Sequence, residues 1–446
     1  MNPWLAPLIL LIILSGSAFI PGHLPEVDTT ALNPGDTAWM LTASGLVLLM
    51  TPGLSLFYAG MVSSKNIIST MLQSFICLGV VSLLWVLCGF SLAFGDSVWG
   101  ILGDPRTYFM FRNVGGSPNA DFAGTIPFAM YALFQMKFAV ITPALITGSF
   151  AERVRFSSYL LFVALFSLLI YAPVAHWAWH PAGFLRQWGV LDFAGGTVVH
   201  TVAGCAALAG ALYLGPRESY RDGQPHVPAN IPFVLIGTGM LWFGWFGFNA
   251  GSALAANHTA CLAFLTTNTA SAAAMLTWLF FEGARGKKPT ALGACIGAVV
   301  GLVAITPAAG YVSVGASIFI GVASSLVSSL CVLWMSRSPL DDTLDVFPCH
   351  GVGGMVGMLL TAVFADQGGV IHGKFAILGV HTLCLVVVGS FAFLGSLGLY
   401  WITDQLIPLR VTGDQEREGL DQSQHGESMG ETSHSSATSD EESTKR

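Results

Sequence analysis

Charge is what this chain has least of: Asp, Glu, Lys and Arg make up 10% of its 446 residues, while 53% are hydrophobic. A soluble domain carries about 25% charged residues, so the deficit excludes the three soluble domains that length alone would suggest. Cysteine is also scarce. The eight present lie almost all in apolar stretches and include no CxxC spacing, so neither a disulfide framework nor a zinc site is indicated. No phosphate loop, nucleophile triad or metal-spaced His/Cys/carboxylate cluster is found, which leaves an enzyme, a cofactor or a bound metal without support. The net charge of −7 comes largely from the acidic tail and says little about partners.

What the chain has instead is a series of apolar runs, each long enough at about 20 residues to cross a hydrocarbon core of about 30 Å. Eleven are read, at residues 36–62, 67–95, 122–150, 156–179, 192–215, 230–250, 256–283, 290–307, 312–336, 346–366 and 375–405. They are too long and too smooth for barrel strands, so the expected fold is an all-α integral membrane protein with eleven transmembrane helices. The apolar block before them, ended by Pro21-Gly22, resembles the hydrophobic region of a secretory signal but has no Lys or Arg ahead of it. Residues 1–22 are therefore read as a signal peptide, with cleavage favoured over retention as an extra helix. Residues 36–405 form the membrane domain, 406–427 a C-terminal segment, and 428–446, rich in Ser, Thr, Glu and His, a disordered tail.

Lys and Arg are distributed unevenly between the loops. Lys65, Arg153, Arg155, Arg217, Arg221, Arg285, Lys287, Lys288 and Arg337 fall in alternate loops, and the others carry only Arg106, Arg112, Arg186 and Lys374. By the positive-inside rule the first set is cytoplasmic, which puts the mature N-terminus outside and the tail, with Arg410 and Arg417, inside.

Two titratable rings, His200 and His350, lie within Gly/Ala/Val-rich spans. Such a residue in hydrocarbon is costly and is read first as part of a conduction or proton pathway. Phe57-Tyr58-Ala59-Gly60 ends the first span and Phe248-Asn249-Ala250-Gly251 the sixth, while His200 and His350 occupy the fifth and tenth. Corresponding elements five helices apart enter from opposite sides. The halves are thus two five-helix units in an inverted repeat, plus one extra helix, an arrangement that places a substrate path between them.

The segments Asp192-Phe-Ala-Gly-Gly-Thr-Val-Val-His200, Gly244-Trp-Phe-Gly-Phe-Asn-Ala-Gly-Ser252, Ala151-Glu-Arg-Val-Arg-Phe156 and Asp345-Val-Phe-Pro-Cys-His-Gly-Val-Gly-Gly354 resemble the ammonium transporter (Amt/Mep/Rh) family. The likeness covers about residues 36–427 and extends to Glu416-Arg-Glu-Gly-Leu-Asp421 in the tail. It implies a homotrimer in the cell inner (plasma) membrane, one narrow path per subunit, and a trimeric PII-type signal protein at the cytoplasmic face. It also implies roles: Trp179, Ser252, Phe138 and Phe134 in recruiting ammonium, Phe138 and Phe248 as stacked gate rings, His200 and His350 as twin pore histidines, and Asp192 as a buried support.

The chemistry of those side chains fits the implied cargo. An indole face attracts a cation and a hydroxyl accepts a directional hydrogen bond, which potassium cannot donate. Two phenyl rings then exclude a bare cation, whereas ammonium can surrender its proton and pass as ammonia. Neutral imidazoles sharing a hydrogen bond could carry the proton. Asp192 precedes a Gly-Gly turn and reads equally as an N-cap or an electrostatic support; Asp345 reads as its mirror cap on the cytoplasmic side. With each Asp starting its helix, His200 and His350 lie about 12 and about 7.5 Å deep, approaching mid-membrane from opposite ends. His176 and His180 read as interfacial.

Two departures from the family pattern stand out. Lys137 immediately precedes Phe138 in the third span and is read as a structural residue that snorkels or pairs with an acid at a subunit interface, with tuning of the outer vestibule as the alternative. An extra residue separates Trp179 from Asp192, which puts the register of that loop in question. The expected function is ammonium uptake, with methylammonium left open as a second cargo. The alternatives are a sensor that signals through its tail and a neutral gas channel for ammonia or carbon dioxide.

Overall fold

The computed structural model describes residues 4–19 and 27–429. Among the described residues ten helices are long and apolar enough to cross a membrane: Pro34–Met61, Ile67–Phe94, Phe128–Ser149, Phe156–Gln187, Gly196–Leu214, Ile231–Gly251, His258–Ala284, Val314–Met335, Phe347–Phe364 and Ala376–Leu406. The expected eighth span is the shorter helix Ala291–Ile305, whose 15 residues cover about 22 Å at 1.5 Å per residue. All eleven expected spans thus have their helix, and the spans keep their ordinal names below. The third starts at Phe128 rather than residue 122 because Pro127, extended at ψ 135°, caps it from a turn-rich loop.

Several starts follow from the local sequence. Asn33, Asn230, Asn257, Thr290 and Ser313 each accept a hydrogen bond from the backbone N–H three residues on, satisfying one of the unpaired donors that open a helix. Pro34 and Pro232 follow two of these caps in the first turn, where a missing N–H costs nothing.

Glycine sets how closely the helices cross. A Cβ on Gly237 would lie 2.4 Å from the Phe57 nitrogen and one on Gly60 2.5 Å from the Asn230 oxygen, so the first and sixth spans meet backbone to backbone. A Cβ on Gly204 would lie 2.2 Å from Gly351 Cα, so the fifth and tenth spans do the same. Both crossings join elements five positions apart, as the inverted repeat requires. Beyond the helices, the loop after the second span carries a small antiparallel hairpin, Ser97–Val98 paired with Leu102–Gly103.

One end of the bundle gathers the basic loops and the C-terminal segment. Arg155 N–H donates to the Leu409 oxygen at 2.8 Å, Val411 N–H to Arg153 at 3.1 Å, and Lys65 Nζ to the Arg417 oxygen at 2.6 Å. Asp421 Oδ1 accepts the Ser69 N–H at 2.8 Å, so the segment supplies a cap to the second span. Beneath it Arg217 bridges Glu152 at 2.9 Å and Asp341 at 2.8 Å, all three buried. Burial works against the charged Glu152 and Asp341, yet the Arg217 guanidinium brings both carboxyls below the usual range.

Of the expected signal peptide, residues 1–3 and 20–22 lie outside the described residues, as do residues 23–26 after it, and Leu5–Ser15 within it is helical. Trp4 ahead of that helix places its ring 6.4 Å from Phe156. Of the tail expected to be disordered, residues 430–446 lie outside the described residues.

Candidate functional site: an aromatic vestibule above two histidines

The end of the bundle opposite the basic loops holds a cavity of about 380 Å³, whose lining includes Phe134, Gln135, Phe138, Trp179, Asp192 and Ser252. Its floor is aromatic. Phe134 and Phe138 meet edge to face at 4.9 Å, Trp179 stands at 86° to Phe138 at 5.7 Å, and Phe138 stacks on Phe248 at 4.1 Å and 30°. Both stacked rings are buried. Phe248 in turn lies 6.1 Å from His200, and the two imidazoles face each other with Nδ1 to Nδ1 at 3.3 Å. Trp179, Ser252, Phe134, Phe138, Phe248, His200 and His350 therefore fall into one succession: vestibule, phenyl pair, histidine pair.

The backbone explains how the histidines meet. Both spans begin with a wide turn, Gly196–Thr201 and Phe347–Val352, of the π type often found at functional sites. Asp192 fastens the first: Oδ1 accepts from Gly195 N–H at 2.8 Å and Gly196 N–H at 2.6 Å, and Oδ2 from Thr197 N–H at 2.9 Å and from the Thr197 hydroxyl. Those four donors engage both carboxylate oxygens, so here Asp192 is a cap.

Its mirror image is not Asp345. Asp342 Oδ2 accepts the Phe347 N–H at 2.7 Å, while Asp345 occupies the turn at φ 55° and its carboxylate makes no hydrogen bond among the described residues. The caps then lie equally far from their histidines, since 200 − 192 and 350 − 342 are both eight. The left-handed backbone at Asp345 defeats a reading of cap position from sequence, because it moves the helix start relative to the chain. Burial, and then the neighbouring acids, lift the Asp345 carboxyl to about 8.

Other side chains complete the site. Trp179 Nε1 donates to the Asp192 main-chain oxygen at 3.2 Å and Arg186 Nη1 to the Trp179 main-chain oxygen at 2.6 Å, which ties the two ends of the loop together. Ser252 Oγ donates to the Phe248 oxygen at 2.9 Å and so keeps its lone pairs for the cavity. His176 is fully buried, held between the Ala93 oxygen at 2.9 Å and Ser97 Oγ at 2.8 Å. Lys137 is half-buried and has no ion pair or hydrogen bond among the described residues.

Three residues escaped the sequence reading. Gln135 lines the cavity with a buried amide oxygen that has no partner. Trp245 stacks on His200 at 5.4 Å and is anchored by its indole N–H on Thr306 Oγ1 at 2.9 Å. His381, fully buried, accepts the Leu191 N–H at 3.0 Å on Nε2 and donates from Nδ1 to the Met358 oxygen at 2.8 Å, holding the loop segment that leads into Asp192. The signal that marked His200, a titratable ring inside an apolar span, was available for His381 too.

An all-α bundle crossing the bilayer many times, with an aromatic cavity at one end stacked on two buried imidazoles, defines a multi-pass membrane protein of the transporter class. Comparison with known proteins makes the class specific. The profile of the Ammonium Transporter Family matches residues 38–429. The ammonium transporter of Aquifex aeolicus is 46% identical over 405 residues, covering 89% of this chain and 93% of that protein. The ammonium transporter of Bacillus subtilis is 44% identical over 403 residues, covering 88% and 98%. The crystal structure of Saccharomyces cerevisiae Mep2 superposes with a TM-score of 0.82 at 33% identity, covering 87% of this chain and 89% of that one. The chain belongs to the ammonium transporter family.

Proposed function

We propose that the protein takes ammonium up across the cell's plasma membrane by stripping it of a proton and passing ammonia between the two halves. The observation that carries this reading is the unbroken succession from Trp179 through the Phe138–Phe248 stack to the His200–His350 contact. In the vestibule the Trp179 face attracts the cation, and Ser252 Oγ and the unpaired Gln135 oxygen accept its hydrogen bonds. An ion desolvated against Phe138 and Phe248 meets a barrier of tens of kcal/mol on idealised estimates. Potassium has no neutral form with which to avoid it.

The proton has its own route. In the neutral pair one Nδ1 carries the shared hydrogen and the other accepts it, and His200 Nε2 is buried without a partner. A proton taken up at His200 Nε2 lets the His200 Nδ1 hydrogen pass to His350 Nδ1, and the His350 Nε2 hydrogen is released toward the far side. Net transfer is one ammonium per cycle, with both rings left in the opposite tautomer until each turns over and again presents one hydrogen to the shared contact. Asp192 holds His200 in place from its cap without touching the cargo.

In this reading the vestibule faces outward and the basic end, with the C-terminal segment 406–427, faces the cytoplasm. The subunits work as a homotrimer, and a PII-type signal protein reaches the inner mouth beside the cavity that Lys65, Arg217 and Arg417 line. The test is solid-supported-membrane electrophysiology on purified protein in liposomes given ammonium, potassium or methylammonium pulses. An ammonium current that potassium does not elicit is expected. Internal alkalinisation with no current would establish a neutral gas channel, and neither signal would favour the sensor.

A further inference from the structure

The hairpin after the second span carries an unusual tip. Its turn, closed by Ile101 N–H on the Val98 oxygen at 3.1 Å, has positive φ at both central residues, 56° at Trp99 and 73° at Gly100. That is the pattern of a type I′ turn, which Asn-Gly adopts without strain and a bulky residue at the first position does not. The strained residue here is an indole 90% exposed, flanked by Val98 and Ile101 at 41% and 49%. Neither the turn nor packing within the chain accounts for an aromatic ring at this position.

Its surroundings indicate what covers it. Ser97 Oγ is bonded to His176, Trp177 Nε1 donates to the Ile101 oxygen at 2.7 Å and Phe184 N–H to the Gly100 oxygen at 3.3 Å, so the hairpin is clamped onto the end of the fourth span. No hairpin residue lines the vestibule. Exposed apolar side chains continue from it down the second and fourth spans at Phe75, Leu83 and Leu169, and Trp188 is exposed at the same end. Between the tip and Arg106 runs an apolar groove of about 580 Å³. Tryptophan concentrates where a membrane meets water, with its ring at the headgroup level.

We propose that residues 97–103 are a membrane anchor whose tip, Val98, Trp99 and Ile101, sits in the headgroup–acyl boundary of the leaflet on the vestibule side. The occupant of the groove is therefore lipid, and the strained turn presents the indole to it. The anchor ties the second and fourth spans, and through His176 and Trp179 the vestibule wall, to the level of the bilayer surface.

The test uses the full-length protein in liposomes, with Ile101→Cys in a Cys261→Ser background that keeps Trp99, because Cys261 is exposed. An environment-sensitive fluorophore on the new thiol should emit in the blue and be quenched by lipids brominated near the headgroup, with little quenching by aqueous iodide. Water-like emission with free iodide access overturns the proposal. Protection from both quenchers overturns it as well, assigning the tip to a contact between copies of the chain. A second pair of variants separates anchor from fold: with the label moved to Val98→Cys, Trp99→Asn should leave melting unchanged or raise it while bromine quenching falls several-fold. Unchanged quenching would show that the indole is not the anchor.

Discussion

Gly204 offers the sharpest perturbation of the proton route. A Cβ there would lie 2.2 Å from both Gly351 Cα and the Gly351 nitrogen, and backbone cannot swing aside as a side chain can. Since carbon atoms rest at about 3.5 Å or more, Gly204→Ala must part the fifth and tenth spans locally by about 3.5 − 2.2, or ~1.3 Å. If the separation carries to the rings four residues back in one span and one in the other, the 3.3 Å Nδ1–Nδ1 contact opens to about 4.6 Å, beyond hydrogen-bond reach. Overpacking of this kind costs about 1–3 kcal/mol and the lost hydrogen bond about 1 kcal/mol more. A protein of ordinary stability survives that, so the fold should persist with a lowered melting temperature while the ammonium current falls by an order of magnitude or more. The assay pairs thermal melting in detergent with ammonium-pulse currents in liposomes. Gly239→Ala, where a Cβ meets nothing within 4 Å, is the control. A Gly204→Ala protein that melts lower but conducts as wild type would refute the idea that the histidine contact carries the proton.

Three further outcomes are expected. Trp179→Leu removes a cation–π partner worth up to about 2 kcal/mol, so the ammonium concentration giving half-maximal current should rise by as much as about 30-fold with the maximum little changed; a fall in the maximum alone would place Trp179 outside recruitment. Asp192→Ala orphans the four donors it now satisfies and should lower the melting temperature by more than Asp192→Asn, which keeps one acceptor oxygen; equal melting of the two variants would contradict the cap. Asp345 holds its proton more tightly folded, at about 8, than unfolded, near 3.8. The stability it contributes is complete below the unfolded value and is lost as pH rises through the folded one. Asp345→Asn should accordingly melt with wild type at pH 3.5 and above it at pH 9, and coincident melting at pH 9 would sink that assignment.

Much of this architecture was legible because membranes tax polarity so heavily. Eleven apolar runs gave eleven helices, the eighth included despite its short helix, and caps such as Asn33 and Thr290 stand where Asx and Thr side chains precede an apolar run. The vestibule residues and the twin histidines were reached by motif and by the cost of a titratable ring in hydrocarbon. What stayed hidden depends on backbone conformation or on distant partners. The Asp345 cap was misplaced because one left-handed residue shifts where the tenth span begins. Trp245, quoted within its motif, looked like one apolar residue among many until its indole was found pinned to Thr306, 61 residues away. The burial of His176 depends on the hairpin that folds over it, and hairpin pairing of two-residue strands leaves no periodic trace.

The central claim is that ammonium's proton travels through the histidine pair while ammonia takes the hydrophobic path. Its most direct test is the ammonium-pulse current of a His200→Ala/His350→Ala double variant reconstituted beside wild type, with potassium pulses on both. The account predicts a wild-type current specific to ammonium that the double variant loses. An ammonium-specific current of wild-type size in the variant would contradict it.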